Sequence, residues 1–479
     1  RENGNISTGG TAIDCTDIIH PDNADIAVNA ANAIGIDIAG IDVVAEDVSK
    51  SIYSTSGAVI EVNTAPGIRM HLYPSQGQPR NVAKDIVDLL FPKELNMDFP
   101  IVSVTGTNGK TTTVRLIGHV LSHVGRKVGM TSTSGTFIDG KCICKGDHSG
   151  PCSARALLAN KSIDAAVFET ARGGIIREGL GYDLADVGIV TNIAEDHLGL
   201  GGVETLKDLA FVKALVVEAI KPGGCAVLNA EDEMTNFILE RVQEQVILFY
   251  KTKDNVKVKD VDKYINVFVE DGFIKIRDSN REITALQIKD IPITYGGLLE
   301  CNIENALASV CALYALKIPV EDIAKGLASF ESNPGRFQIF HMDGYKIMLD
   351  YAHNEAGYMQ VTKLCQKLCA SRIVGIIGMP GDRPDKAIKS VGVLAAKAFD
   401  RIYIKEDRNL RNRKKHEVAN LLYGAVAESS YDMEKVKIID DEVEALKEAM
   451  KNAQKDDLIV VMYEKIEPLT ELIKQRGSI

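Results

Sequence analysis

Between residues 101 and 124 an apolar strand, a glycine-rich turn and an amphipathic helix follow one another without interruption. Ile101-Val102-Ser103-Val104 reads as a short buried strand, and Thr112 to Val124 carries helical spacing. The turn between them runs Gly106-Thr107-Asn108-Gly109-Lys110-Thr111-Thr112. Its two glycines let backbone N–H groups converge, and the following helix turns the positive end of its dipole to the same point, so the segment cradles phosphate. Lys110 then reaches the terminal phosphates, and the Thr111 hydroxyl holds Mg²⁺. The common phosphate loop has another glycine where this chain has Val104, so the loop is a shortened variant. Such a strand commits its surroundings to an α/β sheet with the ligand at the carboxyl edge.

The rest of the chain obeys that constraint. Ala165-Ala166-Val167-Phe168 and Val187-Gly188-Ile189-Val190 repeat the buried-strand pattern, each with a polar end. Short alternating runs from about Val256 to Thr294 predict a small antiparallel patch, and a helix covers Asn302 to Leu316. A second strand–helix series opens at Ile347 and continues through residues 373–378, 402–404 and 458–462. With 479 residues there is room for about three domains. The boundaries fall in the polar link 93–98 and near Asn333, giving units 1–92, 99–333 and 334–479.

Charge and composition exclude several classes. Asp+Glu outnumber Lys+Arg by 66 to 55, and no basic stripe tracks a phosphate backbone, so nucleic acid is not an expected partner. No apolar run approaches the length that spans a bilayer and the start lacks a signal-peptide pattern, so no membrane partner and a cytoplasmic location are expected. Nine cysteines without a repeating framework fit a reducing compartment. Cys142, Cys144 and Cys152 with His148 have zinc-site residue types but the spacing of no common finger. Cys365 and Cys369 stand i,i+4 on a predicted helix, as core residues do.

A second constellation accompanies the loop. Glu169 ends one strand, and Asp196-His197 follow the strand and turn Val190-Thr191-Asn192-Ile193. A carboxylate and an imidazole at neighbouring strand ends can hold a second Mg²⁺ where a γ-phosphate meets an acceptor carboxylate. Read singly, Glu169 is as well a solvated strand end and His197 a hydrogen-bonded loop histidine.

On these residues the chain resembles the Mur ligase family, whose members use ATP to activate a carboxylate as an acyl phosphate and couple it to an amine. The resemblance covers about residues 99–479 and implies a central P-loop domain followed by a Rossmann-like C-terminal α/β domain. It gives Gly106, Thr107, Asn108, Gly109, Lys110, Thr111 and Thr112 to ATP phosphates, with Mg²⁺ held by Thr111, Glu169 and His197. Lys213, in Ala210-Phe-Val-Lys-Ala, stands where the family often carries a carbamylated lysine. Asn302 and Asn305 match the helix start near adenine, where Cys301 replaces the usual histidine. Arg336 in Pro334-Gly-Arg-Phe matches a phosphate contact, and Asp350 in Asp350-Tyr-Ala-His-Asn matches the ribose-binding acid, with His353 a candidate base.

The first 92 residues resemble the closing (α+β) part of an ATP-grasp domain, in which Asp42, Glu61 and Asn63 would hold Mg²⁺. Asn5-Ile-Ser-Thr-Gly-Gly-Thr-Ala-Ile-Asp14 resembles that module's substrate loop. ATP-grasp joined to a Mur ligase resembles enzymes that extend a poly-aspartate backbone and attach arginine to its β-carboxylates. Their local motifs recur at Glu169-Thr-Ala-Arg172-Gly-Gly, Gly146-Asp-His-Ser-Gly-Pro151, Gly378-Met-Pro-Gly-Asp382-Arg383 and Ile404-Lys-Glu406-Asp407. The resemblance implies L-arginine, L-aspartate and a β-aspartyl polymer primer as partners, and a homodimer or homotetramer. Arg172, Asp382 and Arg383 are candidate substrate residues; Glu406 and Asp407 are candidate partners for a guanidinium, or a solvated loop. The non-Met start, Arg1, suggests a chain cut inside the first module. Another Mur-type ligase acting on folates or peptidoglycan precursors, and a non-catalytic ATP- or polymer-binding scaffold, are the rival readings.

Overall fold

Parallel strands buried on both faces need helices on both sides, and the chain supplies them twice. The computed structural model describes residues 10–91, 99–195, 199, 201–368 and 370–476. Residues 1–98 and 99–479 form two compact units.

In the first unit, β1 (Gly40–Val44) and β2 (Ala58–Asn63) pair antiparallel, with Asp42 directly opposite Glu61. The helix Pro21–Ile34 starts on a proline and stops where Gly35 adopts a left-handed φ of 78°. Its buried Asn23 donates to the carbonyls of Val48 and Lys50 and accepts from the Ile52 amide, which ties the helix to the inter-strand loop. Asp14 accepts two guanidinium N–H groups from Arg80, which hold its carboxyl well below the usual carboxylate range.

In the second unit, eleven strands form one sheet: β3 (Ile101–Thr105), β4 (Val128–Ser132), β5 (Gly135–Ile138), β6 (Lys141–Lys145), β7 (Ala165–Glu169), β8 (Ala185–Val190), β9 (Ile220–Asn229), β10 (Gln245–Tyr250), β11 (Ile265–Glu270), β12 (Phe273–Asp278) and β13 (Arg281–Gln287). The order is β13-β12-β11-β10-β9-β8-β3-β7-β4-β5-β6, parallel from β11 to β4 and antiparallel at both ends. The chain builds outwards from β3 first on one side and then on the other. The loop after β3 therefore opens at a topological switch point.

Val102 and Val104 of β3 are fully buried among residues of the helices Lys110–His123, Glu300–Ala315 and Val320–Ala328. A second cluster fills the opposite face beneath the helix Leu206–Glu218. That helix lies close because Gly188 has no side chain: a Cβ there would stand 2.4 Å from the Val216 carbonyl oxygen. The remaining strands, β14 (Gln338–His341), β15 (Lys346–Asp350), β16 (Arg372–Ile377), β17 (Arg401–Ile404), β18 (Val436–Ile438) and β19 (Asp457–Met462), make a second sheet in the order β14-β15-β19-β16-β17-β18. It too is packed on both faces.

Several expectations shift slightly. The helix expected from Thr112 starts at Lys110, because Gly109 supplies a left-handed cap. The antiparallel patch is β11 to β13, and Asn333 stands between the last element of the first sheet's layer and β14, the first strand of the second sheet. Among the described residues, no group of three or more metal-binding side chains includes Cys142, Cys144, Cys152 or His148. Cys365 is buried in the core, while Cys369 lies outside the described residues. No helix among the described residues is long and apolar enough to cross a membrane.

Candidate active site

The carboxyl ends of β3, β7 and β15 face a common cleft of about 590 Å³. Two glycines in the loop after β3 are sterically required. Gly106 has φ 145° and a Cβ there would meet Thr191 Oγ1 at 1.9 Å; Gly109 has φ 89° and its Cβ would meet Asn305 Oδ1 at 2.2 Å. The loop is also clamped from β8, since Asn192 accepts from the Asn108 amide (2.9 Å) and returns a hydrogen bond to the Asn108 carbonyl (3.0 Å). This clamp pre-organises the backbone, so little ordering remains to be done when phosphate arrives.

Two lysines converge on one carbonyl. Lys110 Nζ donates to Gly106 O (3.1 Å) and Thr107 O (2.9 Å), and the buried Lys213 Nζ donates to Gly106 O at 2.5 Å. Lys213 comes from the helix that Gly188 admits so close to β8. Across the loop, Glu169 is 2% exposed, and its Oε2 accepts from the Thr111 hydroxyl (2.9 Å) and the Thr133 amide (3.1 Å). Hydroxyl and carboxylate oxygens side by side suit a hard divalent cation.

The second sheet contributes the opposite wall. Arg336 Nη2 donates to Thr111 Oγ1 (3.3 Å), and its guanidinium lies 4.9 Å from the centre of the Tyr351 ring. Asn354 reaches Asn108 Oδ1 at 3.3 Å. Asp350 accepts from the Phe337 amide at 2.8 Å; burial pushes its carboxyl up to about 6, against the opposing pull of Arg336. His353 Nδ1 lies 3.0 Å from the Tyr351 carbonyl, an acceptor only, so Nδ1 carries a proton. Asn302 and Asn305 are buried and joined at 3.0 Å, and Asn302 is anchored on the Ile293 carbonyl. Between the sheets, Arg115 donates to Asn333 Oδ1 and Pro334 O, both at 2.8 Å. Burial and the nearby Arg336 charge draw Arg115 down to about 10.

Comparison with known proteins now has a geometry to be set against. The Mur ligase middle domain matches residues 104–313, and the Mur ligase glutamate ligase domain matches residues 335–462. The chain belongs to the Mur ligase family. Its whole length is 41% identical over 485 residues to the cyanophycin synthetase of Synechocystis sp., of which it covers 55%. The chain thus spans about half the length of the cyanophycin synthetases it matches. A 2,6-diaminopimelate-adding Mur ligase of Clostridium acetobutylicum is 27% identical over 75% of this chain and 72% of its own. The Escherichia coli FolC structure shares the fold with a TM-score of 0.59 at 21% identity, covering 80% of this chain and 90% of that one. Folylpolyglutamate synthase of Mycobacterium tuberculosis aligns with a TM-score of 0.57 at 16% identity, over 82% of this chain and 95% of that one.

In this Mur ligase chain the cleft gathers the seven loop residues, Glu169, Lys213, Arg336, Asp350 and His353, together with Asn302, Asn305, Arg172 and Arg383. His197 lies outside the described residues. Asp382, Glu406 and Asp407 do not line the cleft. Asp407 is engaged by Lys405 at 2.5 Å, Glu406 Oε2 accepts the His416 amide, and Asp382 pairs with Arg411 at 2.6 Å. Asp407 thus has a cationic partner within the protein, while Glu406 Oε1 is buried without a hydrogen-bond partner among the described residues. Asp42, Glu61 and Asn63 belong to the first unit, where Asp42 and Glu61 are cross-strand partners. Sequence reasoning missed Asn192, Thr133, Arg115 and Tyr351. Only Asn192, beside a polar strand end, left a local signal.

Proposed function

We propose that the chain is an ATP-dependent amide ligase of cyanophycin synthesis, which activates the β-carboxylate of an aspartyl unit and couples it to the α-amine of arginine. The observation that carries this reading is the 41% identity to cyanophycin synthetases along the entire chain, both units included. An aspartyl oxygen attacks the γ-phosphorus of ATP and ADP departs. Arginine's amine then attacks the acyl carbon, phosphate leaves, and the amine gives up a proton. Lys110, Arg336 and the loop amides offset the charge that develops on the transferring group. Thr111 and Glu169 would hold Mg²⁺, which when bound screens the two anions that must approach each other. His353, which lines the cleft, is the candidate to receive the amine proton. Lys213, in the family's carbamylated position, contributes a further ligand if modified.

The first unit is read as the end of an ATP-grasp module that adds aspartate to the backbone. Asp42 directly opposite Glu61 is unfavourable between like charges, and a shared cation with Asn63 nearby offsets the repulsion. A cytoplasmic location suits an enzyme fed by ATP.

The reaction is tested by incubating the chain with ATP, labelled arginine and a β-aspartyl acceptor. One ADP per arginine incorporated supports it; transfer of glutamate or a diamino acid in its place favours a folate- or peptidoglycan-type ligase, and no ADP release favours a scaffold. The raised Asp350 carboxyl adds a pH signature. Only the ionised form accepts two ribose hydroxyls, so nucleotide affinity falls as pH drops through about 6, by at most tenfold per pH unit. The ligand-free fold responds oppositely: its Asp350 is hard to ionise, so stability declines as pH rises from the usual carboxylate value through about 6. Fluorescent-nucleotide titrations between pH 5 and 8 should show the affinity slope, and Asp350→Asn should flatten it.

A further inference from the structure

The wall of the cleft below Glu169 is formed by the loop 146–149 and the short helix Arg172–Glu178. Loop and helix are fitted closely. The Ala171 amide donates to the Ser149 carbonyl (3.1 Å), and a Cβ at Gly174 would stand 2.9 Å from Pro151 Cδ. The loop is pinned from behind, where His148 Nδ1 meets Thr136 Oγ1 at 2.7 Å and the His148 amide donates to Ser132 O at 3.0 Å.

On this fixed wall stand two groups that the proposed chemistry does not use. Asp147 Oδ1 accepts both the amide (3.1 Å) and the hydroxyl (2.6 Å) of the buried Ser149, which sets the carboxylate's direction and leaves Oδ2 for another donor. Among the described residues no cation pairs with it. Arg177 also lines the cleft and makes no hydrogen bond or ion pair among the described residues; its Nη1 lies 3.5 Å from where a Cβ at Gly173 would be, so it folds back along the helix towards the cleft. One positioned carboxylate and one unpaired guanidinium therefore share a rigid wall beside the acceptor's reacting end.

We propose that this wall is an acceptor subsite that reads the unit already completed, with Asp147 taking its guanidinium and Arg177 its α-carboxylate. The inference rests on the arginine-coupling reading, under which each finished unit carries one guanidinium and one free carboxylate. Opposite charges at matched positions give pairing in one register and direction.

The test uses the full chain with two acceptors of equal length, one bearing arginine on every aspartate except the reacting one and one bearing none. Asp147→Asn keeps an acceptor for Ser149, and Arg177→Gln is an exposed change, so both variants should fold. Each should raise KM for the decorated acceptor about fivefold, the scale of a partly screened ion pair, with KM for arginine and ATP in place, so that the preference for decorated over plain acceptor collapses. Equal rises for both acceptors, no change, or a rise confined to arginine's KM would overturn the subsite. Calorimetric binding of the decorated peptide to wild type and to Asp147→Asn, without ATP, separates the two readings. Weaker binding by the variant supports the subsite even if arginine transfer fails, and equal binding overturns it even if transfer succeeds.

Discussion

Lys110→Ala will lower ATP-dependent arginine incorporation by at least ~10²-fold, the scale on which a single positioned charge stabiliser acts in a water-poor site. The lysine lies back on its own loop, donating to the carbonyls of Gly106 and Thr107, so its charge is already at the phosphate-binding surface. Alanine removes the charge and leaves both carbonyls without that donor. Lys213 does not compensate, because it approaches Gly106 O from the helix Leu206–Glu218 and is buried there. Far-UV circular dichroism should be unchanged, since the loop's shape rests on Gly106, Gly109 and the Asn192 clamp. Near-normal incorporation by a folded variant would show that transfer does not take place at this loop.

The second large effect falls on Glu169. In Glu169→Gln the amide oxygen can still accept from Thr111 and Thr133, so the wall keeps its shape while a buried negative charge disappears. Turnover should fall by ~10² or more, and the Mg²⁺ concentration for half-maximal rate should rise by at least about tenfold. Magnesium titration at saturating ATP reads both. A turnover loss with an unmoved magnesium midpoint would assign Glu169 to positioning alone.

What the sequence discloses depends on how local the cause is. β3 and its loop are legible because burial on both faces demands an apolar run, and left-handed backbone at Gly106 and Gly109 demands glycine. Asp350 is legible only through family resemblance, since nothing local distinguishes it from any other strand-end acid. Glu406 and Asp407 are ambiguous in sequence for the same reason: a polar strand end looks alike whether it faces a ligand or partners such as Lys405 on Asp407 and the His416 amide on Glu406. Arg115 with Asn333 and Asn192 with Asn108 are invisible, because each pair is joined across a long stretch of chain by the packing of separate elements. Asp147 illustrates the intermediate case, in which a motif is visible as residues but acquires meaning only beside helix Arg172–Glu178.

From the C-terminal part of the unit, Arg336 reaches Thr111 and Asn354 reaches Asn108 on the phosphate loop, each at 3.3 Å. The neutral Asn354 bond contributes about 0.5–1.5 kcal/mol and the charged Arg336 bond about 1.5–3 kcal/mol. Beside the 2.8 Å bonds of Arg115 to Asn333 and Pro334 these two fastenings are minor, so the contacts ADP makes for itself are expected to govern its residence time. Product escape should therefore slow when nucleotide grip is strengthened and change little when Asn354→Ser cuts the fastening to Asn108.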